Sequence, residues 1–127
     1  MVAGPVAVGV AVVAAAAVDT LRAHANRTGV AVHAFCVMPD HVHLVVEPSV
    51  GCDLITFIGQ FKNLAQRAAW ARGVIGAFWQ ASFWDHFLRQ DEDLRRAAEY
   101  VLDNPVRAGL VSARQDYPFS GSPILDG

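Results

Sequence analysis

Two histidines one residue apart, His41 and His43, can do chemistry together, as can Tyr100 and the amide four positions after it, Asn104. On a β-strand alternate side chains share a face. His41 and His43 then project from one side, and Val42, Leu44 and Val46 from the other. Two imidazoles on one rigid face can take a divalent cation from a shared side. The same spacing also suits a pair of surface histidines, since His-x-His alone is a weak signal. Tyr100 and Asn104 lie one helical turn apart and share a side. A packing role for Tyr100, and an N-cap role for Asn104 ahead of Pro105, are the plain alternatives. A hard cation held by two imidazoles and an amide keeps open positions. Those positions accept a phosphate oxygen and polarise the phosphorus. A neighbouring tyrosine can then attack and form a covalent phosphotyrosine. Such an adduct stores the phosphodiester energy, so a strand can be rejoined without ATP.

The elements that must position these groups follow from the pattern. Residues 1 to 18 carry no charge. A helix over residues 6 to 18 would be about 20 Å long, short of the roughly 30 Å of a bilayer core. The helical phase continues, with Val10, Val13, Ala17 and Leu21 on one stripe and Asp19, Arg22, Asn26 and Arg27 on the other. This reads as a core-facing helix ending near Gly29, not a membrane span. Residues 30 to 38 are apolar on both faces and read as a central strand, with His33 a structural residue. Residues 41 to 47 pair with it across a Pro39-Asp40 turn. Asp53 caps or sits in the first turn of the next helix, whose apolar stripe is Leu54, Phe57, Ile58, Phe61, Leu64, Ala65 and Ala68. Lys62, Gln66, Arg67 and Arg72 form its polar side, which is either a solvated face or a nucleic-acid contact. Gly73 and Gly76 close this helix. Residues 83 to 89 read as a strand and residues 91 to 103 as a helix. Asn104 caps a short helix stopped by Gly109, and the tail from Ser112 onward is an irregular strap.

At 127 residues with 54% apolar content, the chain is one domain, residues 1 to 127, with ample core material. The net charge of −2 gives no general support for a polyanion partner, so any nucleic-acid site must be a local patch. Cys36 and Cys52 do not make a disulfide framework, and both are expected reduced in a cytoplasmic setting.

The fold expectation is α+β. It is a ferredoxin-like antiparallel sheet with helices on one face, its first strand missing or degenerate, and an extra C-terminal helix carrying the tyrosine. In a complete sheet of this kind the first strand lies between the third and fourth. Its loss leaves the histidine strand unpaired on one side and the strand at 83 to 89 isolated. Either residues 2 to 9 supply a substitute strand, or a second chain or a bare edge takes the gap. The sequence does not decide between monomer and homodimer.

Three stretches, CVMPDHVHLVVEP (36 to 48), FWQASFWDHFLR (78 to 89) and EYVLDNPVRAGLV (99 to 111), occur in this order. Through them the chain resembles the HUH single-tyrosine transposases, and especially the REP-associated tyrosine transposases. The resemblance implies that His41, His43 and Asn104 hold Mg²⁺ or Mn²⁺ and that Tyr100 is the nucleophile. It also implies cleavage of single-stranded or hairpin DNA, leaving a 5′-phosphotyrosine and a free 3′-OH, with strand transfer as the outcome. Lys62, Arg67 and Arg72 are the candidate DNA contacts. Two features depart from the family. No basic residue precedes Arg22, and the chain is not basic overall. They favour an alternative, a catalytically decayed DNA-hairpin binding or regulatory module. A third reading is a metal-dependent phosphoesterase with water as nucleophile. Tyr117 is the competing tyrosine, set aside because no ligand-type residue lies one turn from it.

Overall fold

The computed structural model describes the backbone of residues 4–38, 42–74, 86–87 and 93–125. The elements in order are α1 (Gly4–Thr28), β1 (Ala31–Val37), β2 (Val42–Glu47), α2 (Leu54–Ala71), β3 (His86–Phe87), α3 (Leu94–Leu102), α4 (Asn104–Arg107), a 3₁₀ turn (Arg114–Asp116) and β4 (Ser120–Gly121).

Helix α1 runs unbroken from Gly4, so residues 4 to 9 are helical and do not form the substitute strand that is one of the two alternatives for residues 2 to 9. The Ala-rich composition favours this outcome. The helix stops at Gly29, whose φ of 80° suits a residue without a Cβ. Ser49 Oγ donates to the carbonyl of Thr28 at 2.7 Å, satisfying one of the orphan acceptors at the helix end. Where the side chains are described the stripe holds: Ala17 and Leu21 are buried and Val13 is half-buried, while Asp19, Arg22, Asn26 and Arg27 are exposed. Among the described residues no helix is long and apolar enough to cross a membrane.

Strands β1 and β2 form an antiparallel hairpin in which Phe35 faces Leu44 and Cys36 faces His43 across the ladder. The register slips between Val32 and Ala34, placing His33 in a bulge. One extra residue shifts the alternation. Val32 and Phe35 therefore both pack towards α1 and α2, although they are an odd number of residues apart. His33 Nε2 meets Glu47 Oε1 at 2.5 Å, the structural role expected of it.

Helix α2 is capped by Asp53, whose carboxylate accepts from the Thr56 amide at 2.7 Å. Phe57, Ile58, Phe61 and Ala65 join Ala14, Ala17, Leu21, Val42, Leu44 and Val46 in one core cluster. Fully burying a Phe side chain such as Phe57 or Phe61 contributes roughly 1.5–3 kcal/mol. Leu64 and Ala68 are only half-buried, and Ala69 takes the last core position of the helix instead.

The sheet order is β3-β2-β1-β4. The gap expected beside β2 is closed from within the chain: Val45 pairs with His86 and Val46 with Phe87, in parallel. In the complete layout the third and fourth strands run the same way, with the first strand antiparallel between them. Removing that strand lets the two meet directly, and β2-α2-β3 becomes a βαβ crossover. The tail is not wholly irregular either. Its residues Gly121 and Ser120 pair with Phe35 and Cys36 as an antiparallel edge strand.

Candidate functional site

Helix α3 crosses the sheet face opposite α1 and α2. Ala98 and Val101 pack against Ala34, Cys36, Met38 and Val45. Asp93 caps the helix by accepting from the Arg96 amide at 3.2 Å, so the helix starts at Leu94, three residues later than the sequence pattern suggests. With Ala98 and Val101 turned inward, Tyr100 lies to the side and is 61% exposed.

The chain turns at Asp103 into α4. Asn104 is the first residue of this helix and Asp103 its cap, without a side-chain cap bond. The capping role expected for Asn104 is thus not used. Its Oδ1 instead accepts from Arg107 Nη2 at 3.0 Å. Asn104 Nδ2 is buried and unpartnered among the described residues. The same Nη2 donates to the Tyr100 carbonyl at 2.6 Å, and the guanidinium carbon lies 3.9 Å from the Tyr100 ring centroid. Tyr100, Asn104 and Arg107 therefore form one unit. Gly109, with φ of 77°, ends the short helix as expected.

His43 sits on β2 with the parity of Val45, on the face that α3 covers. It is half-buried, and its cross-strand neighbour is Cys36. Burial pushes the Cys36 thiol up to about 12, and the Arg107 charge pulls it partly back. The α4 guanidinium thus acts on the same patch of sheet that His43 borders. A thiol so shifted is neutral near pH 7 and is no nucleophile. His41 lies outside the described residues, as does the Pro39-Asp40 turn.

The donor types suit a cation of the Mn²⁺ kind. Imidazole and amide oxygen are both acceptable ligands, and Asn104 Oδ1 has a second lone pair beyond the one Arg107 uses. The guanidinium on that oxygen opposes a second positive charge there. Among the described residues no three His, Cys, Asp or Glu side chains cluster as a metal site.

Tyr117 is placed differently from Tyr100. It is half-buried, its hydroxyl donates to the Val37 carbonyl at 2.5 Å, and its ring meets Phe119 edge-on at 5.8 Å. Lys62, Arg67 and Arg72 belong to the α2 layer and its end, across the sheet from α3. The structure does not bring them together with Tyr100. Arg72 is also paired with Asp19 of α1 at 3.2 Å.

Sequence reasoning missed Arg107. The available signal was its spacing, three residues after Asn104 and seven after Tyr100, one and two helical turns along the same side. It also missed the Arg114–Asp103 ion pair at 3.0 Å, which ties the tail to the α3–α4 junction and which no local pattern announces.

The family profile described as "Transposase IS200 like" matches residues 10–103. A REP-associated tyrosine transposase of Escherichia coli K12 is 32% identical over 89 residues, covering 70% of this chain and 52% of that protein. A Haemophilus influenzae protein carrying the same name provisionally is 28% identical over 107 residues, covering 68% of this chain and 56% of that protein. The chain thus spans about half the length of the curated relatives it matches. No solved structure matches it significantly.

Proposed function

The chain belongs to the IS200-like transposase family, and we propose that it cleaves and rejoins single-stranded or hairpin DNA through a 5′-phosphotyrosine on Tyr100. The observation that carries this reading is the exposed Tyr100 held to Asn104 through Arg107, on the helix that covers the His43 face of β2. The Tyr100 oxygen forms a bond to phosphorus and the bond to the 3′ oxygen breaks. The phenolic proton is released and the departing 3′ oxygen takes one up. His41, His43 and Asn104 are the residues that would hold Mg²⁺ or Mn²⁺, which supplies Lewis-acid polarisation of the phosphate when bound. Helix α3 anchors Tyr100 to the sheet through Ala98 and Val101, so the nucleophile stands on a rigid element. The protein acts on DNA in the cytoplasm in this reading.

The contact between Arg107 and Asn104 Oδ1 favours a second reading, a DNA-hairpin binding or regulatory module that has lost cleavage. One experiment separates the two. Hairpin oligonucleotides labelled at the 3′ end are incubated with the protein and Mn²⁺ and run on a denaturing gel. A label shifted to the protein's mass supports cleavage. Binding in a native gel without that shift supports the module.

A further inference from the structure

Arg107 carries a charge that nothing described around it neutralises. At the α3–α4 junction Arg114 is paired with a carboxylate, Asp103, at 3.0 Å. Arg107 instead touches a carbonyl, an amide oxygen and the Tyr100 ring, all neutral. Both of its hydrogen bonds leave from Nη2. A guanidinium has five N–H donors in a planar fork, so Nη1 and Nε keep theirs, and among the described residues these have no partner. The residue is exposed.

We propose that Arg107 binds a non-bridging oxygen of the scissile phosphate through Nη1 and presents the phosphorus to Tyr100. This rests on the phosphotyrosine reading above. The guanidinium is already held over the Tyr100 ring by its two Nη2 bonds with Nη1 left over, a placement an ammonium does not reproduce. The same side chain fixes the ring of the nucleophile and the amide of Asn104, so phosphate capture and nucleophile orientation share one group. Arg107 gains and loses no proton. It offsets charge on the phosphate as the bond to the Tyr100 oxygen forms and the bond to the 3′ oxygen breaks.

The test is single-turnover adduct formation with a 3′-labelled hairpin oligonucleotide and Mn²⁺, at saturating and limiting DNA. The proteins compared are wild type, Arg107→Met, Arg107→Lys and Tyr100→Phe. Removing one preorganised donor group of this kind costs about 100-fold or more in the chemical step. Arg107→Met should therefore lose that much in the rate at saturating DNA, while the DNA concentration giving half the maximal rate changes little. Arg107→Lys should recover only part of the loss. Free guanidinium ion should restore adduct formation to Arg107→Met and not to Tyr100→Phe. An Arg107→Met protein that forms adduct at the wild-type rate overturns the proposal and leaves the phosphotyrosine reading standing. A loss that neither guanidinium nor lysine repairs overturns it too, because the residue is then a structural tie. Absence of adduct in the wild type removes the reading, and the proposal with it.

Discussion

The hydroxyl of Tyr117 donates to the backbone carbonyl of Val37, eighty positions earlier in the chain. Val37 is the last residue of β1, and its amide donates in turn to the carbonyl of Phe119 at 2.8 Å. The tail is thereby fastened to the central strand on both sides of the bond, and Ser122 Oγ adds a third tie to the carbonyl of His33 at 2.6 Å. Tyr117 has a structural task. Tyr117→Phe should lower unfolding free energy by about 1 kcal/mol, since it leaves a carbonyl unsatisfied, and should leave adduct formation intact. Urea denaturation of the variant beside the gel assay checks both halves.

Stability should depend on pH at both ends. His24 is buried against Phe57 at a ring distance of 4.7 Å, and burial, then the neighbouring Arg27, lowers its pKa from 6.5. The unfolded chain therefore binds a proton here more readily than the folded one, so this contribution is present above about pH 6.5 and lost as pH falls. His24→Phe keeps an aromatic ring on Phe57 and should flatten the acid limb of a denaturation series. Cys36 works at the other end. Its thiol is raised from 9.0 to about 12. The unfolded chain loses this proton first, so stability is full below pH 9 and declines towards pH 12. The thiol should resist alkylation at about pH 8 in the folded protein and react on unfolding, as a quenched labelling time course would show.

Much of the fold was legible because the hydrophobic periods are clean. The stripes of α1 and α2 and the alternation of β2 each state which face is buried. The terminators Gly29, Gly73 and Gly109 mark ends where the backbone takes φ of 80°, 87° and 77°. What was not legible depended on tertiary partners. The direct β2–β3 joint needs knowledge of what happens when a middle strand is removed, and the β4 pairing involves only Ser120 and Gly121. The side chain of Asn104 could have capped α4 or met Arg107, and only packing at the junction decides. His41 lies beyond the described residues, so its part in the site rests on resemblance to the transposase family.

The metal reading predicts that cleavage needs both imidazoles. The double variant His41→Ala with His43→Ala should form no adduct in Mn²⁺, and chelation with EDTA should abolish the wild-type reaction. Normal adduct formation in either case would remove the assignment of His41, His43 and Asn104.

The α2 patch makes a separable prediction. For single strands, removing one phosphate-binding cation should flatten the dependence of log affinity on log salt by about 0.7. Charge reversal at Arg67 should act through affinity alone. Arg72→Glu should in addition destabilise the protein by a few tenths of a kcal/mol, since it pairs with Asp19 of α1 and exposed pairs are worth ~1 kcal/mol or less. Fluorescence anisotropy over a salt series decides. An unchanged slope in the triple variant would show that DNA does not use this layer.

Tyr100→Phe removes one exposed hydroxyl and leaves the ring under Arg107 and the helix intact. The most direct measurement is peptide mapping by mass spectrometry of the covalent product formed on a 3′-labelled hairpin oligonucleotide in Mn²⁺. The expected result is a 5′-phosphonucleotide on the peptide containing Tyr100, absent from Tyr100→Phe at unchanged melting temperature. An adduct mapping to Tyr117, or one persisting in Tyr100→Phe, would contradict it.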